Sequence, residues 1–158
     1  MPPYLRANIR VDRWLSPPWL ASGEVPADAM RDLGTKGNTL SLFEVDDPGN
    51  VERIVVAYAA GREVLDDIGY LVFDGVGFAA LGIKIKDMTG RAPDDVVVAL
   101  HRNLEELTAS RLAGLAALMF QGRRDEIPAK RLKGLLNDGL SARRLDHQKM
   151  HPKLLSQL

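Results

Sequence analysis

The sequence predicts an α+β fold: a small mixed sheet of four strands with one β-α-β unit, covered by helices, and a C-terminal helical segment of one long and two short helices. Three observations predict it. Period-two apolar alternation occurs only in the first half of the chain, a helical apolar period separates two of those strand-like runs, and no strand signal returns after Gly90. A chain of 158 residues matches the common size of one domain, so residues 1–158 are read as a single unit with a sheet-containing part, 1–90, and a helical part, 91–158.

The elements follow in chain order. Over residues 5–12, Leu5, Ala7, Ile9 and Val11 alternate with Arg6, Asn8, Arg10 and Asp12, the pattern of a strand with one face in a core and one in water. Residues 13–20, RWLSPPWL, contain two prolines that forbid a helix or a central strand, which leaves a surface crossing that carries Trp14 and Trp19. A short helix fits 26–33, opened by Pro26 and stopped by Gly34. Residues 39–45, TLSLFEV, read as a second strand covered on both faces. Asp46-Asp47-Pro48-Gly49-Asn50 supplies turn and N-cap chemistry, after which Val51, Ile54, Val55, Tyr58, Leu65 and Ile68 form a helical stripe. Residues 70–74 make a third strand, placed by the length of the unit parallel to the second with a right-handed crossover. Gly82 to Lys86 alternates again as a fourth strand. Pro93, Asp94 and Asp95 open a long helix reaching Phe120, with Val97, Leu100, Leu104, Leu107, Leu115 and Leu118 on its core face, and shorter helices fit 128–137 and 141–150 around Gly139.

Composition narrows the function. The chain has no cysteine, which excludes disulfides, thiolate catalysis and Cys-ligated metal sites and suits a reducing compartment. The start, MPPYLRANIR, is charged, and no stretch approaches the apolar length a membrane span requires, so a cytoplasmic protein with no membrane partner is expected. Net charge is zero, yet residues 1–120 hold 12 Lys or Arg against 17 Asp or Glu, while residues 121–158 hold 9 against 4. The basic C-terminal quarter is the strongest compositional feature.

Candidate sites are few. Gly75-x-Gly77-x-x-Ala80 after an apolar run imitates a dinucleotide-binding turn, but the alternating strand to Lys86 follows too closely for the helix that would hold a pyrophosphate; the glycines are read as supplying positive φ between two strands. Gly34-Thr35-Lys36-Gly37-Asn38-Thr39 lacks the spacing and ending of a P-loop. No cofactor is expected. Asp74, at the C-terminal end of a strand expected to be parallel, could hold Mg²⁺ and centre a metal-dependent enzyme, alone or with Lys84 or Lys86, yet the acid-x-Lys triplet that should follow is absent: Lys86 is preceded by Lys84, and Lys84 by Gly82. His101 and Glu105, four apart, read as a solvated pair on the long helix, and His147 and His151 as exposed histidines without a third ligand.

Two binding readings remain. Residues 135–145 resemble the turn of a helix-turn-helix, with Arg143, Arg144, His147 and Gln148 facing a groove and Lys130, Arg131 and Lys133 meeting phosphates, so residues 123–153 could bind DNA or RNA. Trp14 and Trp19, flanking Ser-Pro-Pro, could instead serve as anchors for a protein partner. With no nucleophile-base pair and no phosphate loop, the sequence favours a non-catalytic protein-interaction domain, an adaptor, immunity or antitoxin-like partner or complex subunit.

Overall fold

The computed structural model describes residues 2–90 and 92–158. Its sheet has six strands rather than four, all paired antiparallel: β1 (Pro3–Ile9), β2 (Leu40–Glu44), β3 (Ile68–Asp74), β4 (Lys84–Asp87), β5 (His101–Glu105) and β6 (Arg123–Ile127), in the spatial order β4-β5-β2-β1-β3-β6. The expected mixed sheet is therefore corrected. β2 and β3 do run in the same direction, because each is antiparallel to β1, but β1 lies between them and takes the hydrogen bonds of both. The β-α-β unit built on α1 (Val51–Ala60) thus straddles a strand.

The long helix expected over 93–120 is broken into α2 (Asp95–Val98), β5 and α3 (Ala109–Phe120). Its apolar stripe belongs to two different cores. Val97 and Leu100 pack with α1, whereas Leu104, Leu107 and Leu115 pack on the opposite side of the sheet. Each piece has its own start signal, since the Asp94 carboxylate accepts from the Val96 amide and the Thr108 hydroxyl from the Arg111 amide. The two short C-terminal helices are corrected as well: α4 (Ala129–Ser141) runs through Gly139, Arg143 turns the chain at a φ of 56°, a single 3₁₀ turn spans His147–Lys149, and α5 (Pro152–Leu155) closes the chain.

Helices cover both faces of the sheet. Residues of α1, α4 and α5 close one core over Leu5, Ala7, Ile68, Tyr70 and Ile127. Residues of α3 and of the 3₁₀ helices Val11–Trp14 and Ala27–Asp32 close the other over Tyr4, Leu42, Leu71, Phe73 and Leu104. β1 does not alternate without interruption. Asn8 takes a φ of 62° at an irregularity in the β1–β3 register, which moves Ile9 to the core opposite Leu5 and Ala7. Between β3 and β4 a run of turns carries the buried Phe78 beneath α3. No helix is long and apolar enough to cross a membrane among the described residues.

Candidate functional site

The structure separates the two tryptophans. Trp14 is fully buried, and its indole N–H donates to the Asp32 carboxylate at 2.9 Å. The same carboxylate accepts from the Arg13 guanidinium at 2.7 Å and the Arg10 amide at 2.9 Å, so one cation and two neutral donors satisfy one buried acid and fasten the two 3₁₀ helices together. Behind them, Arg124 donates to the carbonyls of Trp14 and Phe120 while its guanidinium lies 5.2 Å from the Phe120 ring centre. The loop that leaves this clamp is therefore held at its base.

Trp19 sits at the other end of that loop with 79% of its surface exposed. Its position follows from local chemistry: the Leu20 amide donates to the Pro17 carbonyl at 3.0 Å, which makes Pro17 to Leu20 a β-turn with Pro18 in the position that suits its fixed φ and Trp19 beside it. Leu15, 53% exposed, together with Pro17 and Pro26, lines a shallow depression of ≈ 310 Å³ next to Trp19, bordered by Asp12, Arg13 and Asp28. An exposed aromatic thus stands beside apolar neighbours within a charged rim.

The basic C-terminal residues are spread over a helix and a turn. Lys130, Arg131 and Lys133 are exposed on α4, while Arg143 and Arg144 are exposed just past its C-terminus, where the helix dipole favours cations. Arg131 pairs with Glu52. His147 and Gln148 are exposed in the 3₁₀ turn, whose Asp146 carboxylate accepts from the Gln148 amide. Because α4 continues through Gly139 and no helix spans 141–150, the groove-reading geometry of a helix-turn-helix is not formed.

The Asp74 carboxylate accepts from the Val76 amide at 2.9 Å, the bond of a residue opening a turn. No group of three His, Asp or Glu side chains stands close enough to hold a metal ion among the described residues. Gly75 and Gly77 do not have positive φ, which corrects the reading of their role. They make room: a Cβ on Gly75 would lie 2.5 Å from the Tyr4 ring, and one on Gly77 2.8 Å from Leu118. His101 and Glu105, set on a strand, are carried about 13 Å apart by its rise and form no pair. His151 reaches Glu63, 3.4 Å away.

A cleft that the sequence does not announce opens between α1 and the sheet. The β1–β2 pairing is formed at Tyr4–Glu44 and Leu5–Phe43, after which β1 follows β3 and β2 follows β5. Arg6 fills the fork, donating to the Ser41 carbonyl at 2.9 Å and the Asp32 carbonyl at 3.3 Å, with its Nε buried and without an acceptor. Burial holds its guanidinium below the ordinary arginine pKa. The cleft beside it measures ≈ 420 Å³, with Phe43, Ala57, Tyr58 and His101 among its walls and Arg62 at its edge. The Phe43 and His101 rings lie 5.4 Å apart, and the Arg62 guanidinium stands 5.9 Å from the centre of the Tyr58 ring. Burial, then the neighbouring Arg102, lowers the His101 pKa from its ordinary 6.5, so the imidazole is neutral at pH 7. Arg6 is masked in the sequence because it occupies the polar phase of an alternating strand; a fork in a sheet has no local signature.

In comparisons with known proteins, no family model, no curated protein and no solved structure matches this chain.

Proposed function

We propose that the chain is a non-catalytic protein-interaction domain that docks its partner through the loop carrying Trp19. The observation that supports this is the pairing of an exposed indole with a rigid base: the Asp32 clamp and the Pro17–Leu20 turn fix the loop before binding, so little ordering entropy opposes complex formation. Leu15 and the charged rim extend the anchor into a patch that a complementary protein surface can cover. Trp14 supports the site from below and does not touch the partner. The absence of cysteine suits a cytoplasmic setting for such a complex.

Replacing Trp19 with the photo-crosslinker p-benzoylphenylalanine tests this in native lysate. Irradiation is expected to give discrete crosslinked species that are absent when the same group replaces Val76, an exposed apolar residue on the 75–83 connection. Trp19→Ser is expected to compete no longer with the wild-type chain for that partner while keeping its unfolding temperature. Identical species from both positions, or none from position 19, would refute the docking role.

A second reading, nucleic-acid binding through residues 123–153, is supported by the exposure of Lys130, Lys133, Arg143 and Arg144. Without the expected helix-turn-helix arrangement to read a groove, such binding would rest on phosphate contacts and fall steeply with salt. Arg143→Glu with Arg144→Glu should then abolish a low-salt gel shift, and no shift of the wild type at low salt would dispose of the reading.

A further inference from the structure

We propose that the cleft between α1 and the fork of β1 and β2 binds a small organic acid, a carboxylate on an apolar, ring-sized body, with Arg6 and Arg62 receiving the carboxylate. The first support is charge. Neither guanidinium lies within ion-pair distance of a carboxylate among the described residues, since the nearby Asp32 carboxylate is already engaged by Arg13, Trp14 and Arg10. A half-buried guanidinium whose nearest carboxylate, that of Asp32, is held by other donors is only partly compensated, and its remaining N–H groups suit a planar carboxylate.

The second support is shape. A cleft of ≈ 420 Å³ falls in the range of small-molecule sites, and its walls of Ala57, Phe43, Tyr58 and the neutral His101 ring offer apolar faces to a flat body. The C-terminal end of α1 also borders the cleft at Tyr58 and Gly61, where carbonyls carry partial negative charge that opposes any anion and a dianion most, so the two guanidinium groups have to outweigh it.

The test is a titration of the full ¹⁵N-labelled chain, followed by amide shifts, with benzoate, its neutral analogue benzamide, and inorganic phosphate. Benzoate is expected to saturate below about 1 mM, moving the amides of Ala7, Tyr58 and His101, and to bind at least about tenfold tighter than either other probe. Arg62→Gln, a change at the rim of the cleft, is expected to weaken benzoate about tenfold without altering the unfolding temperature. Equal affinity for benzamide would remove the guanidinium role. Equal affinity for phosphate would remove the apolar body. Shifts unchanged in Arg62→Gln, or no saturation by about 10 mM benzoate, would overturn the site altogether.

Discussion

At the scale of single residues, Asp32 and Asp94 are the acids buried among the described residues, and only the second could be read in the sequence. Asp94 follows a proline and precedes an apolar run, a helix-start signal; it also takes a bidentate contact from Arg53, at 2.6 and 3.0 Å, that nothing local foretells. Asp32 lies in an unremarkable ADAMRD segment, and its three donors come from residues 18 to 22 positions away, beyond the reach of any local pattern. Asp32→Ala leaves the Trp14 N–H and the Arg13 charge without their acceptor and should cost about 3 kcal/mol in urea unfolding. An effect below about 0.5 kcal/mol, the range of an ordinary surface substitution, would mean that water replaces the clamp. His101 gives a pH-dependent counterpart. Its folded pKa lies below the ordinary 6.5, so the unfolded chain binds the proton more readily, and stability from this residue is complete above pH 6.5 and declines as pH falls through that value toward the folded pKa. His101→Gln should therefore flatten the fall in unfolding free energy just below pH 6.5, and a parallel fall in both proteins would contradict the buried neutral imidazole.

At the scale of elements, the starts of α1 after the Asp46–Asn50 turn and of α2 after Asp94 were legible, whereas several ends, and the pairing of strands, were not. The segments 70–74 and 40–44 read openly as strands, and the helical stripe from Val51 was right to Ala60 but not to Ile68, which opens β3; HRNLE and RRDEI became strands because neighbouring strands offered unpaired backbone, with only Leu104 and Ile127 fully turned inward. A helical spacing from Val97 to Leu115 arose by coincidence, since an apolar residue every three or four positions also results when a chain passes from one core through a strand to another. Helix α4 offers a comparison within one element. Gly134 is exposed in mid-helix with nothing within 4 Å of a built Cβ, so Gly134→Ala should raise stability by about 0.5–1 kcal/mol from backbone entropy alone. Gly139 is buried against Leu145, whose Cδ1 and Cγ would lie 2.8 and 3.0 Å from the new methyl group. Gly139→Ala should lose that gain to repacking and leave the protein no more stable than wild type. Two equal increases in melting temperature would show that Leu145 yields freely and that this glycine has no packing role.

At the scale of the whole molecule, the consequential feature is a sheet with a core on each face and a central strand that serves both. β1 sends Leu5 and Ala7 to one core and Tyr4 and Ile9 to the other, and it carries the ladders of β2 and β3. Loss of either helical layer would leave one face of this shared sheet in water, which couples the two cores into one cooperative unit. The α+β character was visible in the sequence, but the mixed four-stranded sheet expected from it was wrong in strand count, direction and order, because β1, at one end of the sheet part, had no mark of a central strand. The two cores can be interrogated separately, since Trp14 belongs to the core beneath α3 while Leu132, fully buried on α4, belongs to the other. With Trp19→Phe in the background, fluorescence reports Trp14 alone. Leu132→Ala removes buried methyl groups and should cost about 3 kcal/mol. If the sheet transmits that loss, the denaturation midpoint seen by Trp14 falls by as much as the midpoint seen by far-ultraviolet circular dichroism, although no residue near the indole has changed. A Trp14 transition that stays at its original midpoint while the dichroism signal moves would show two independently melting layers and would refute the central role of β1.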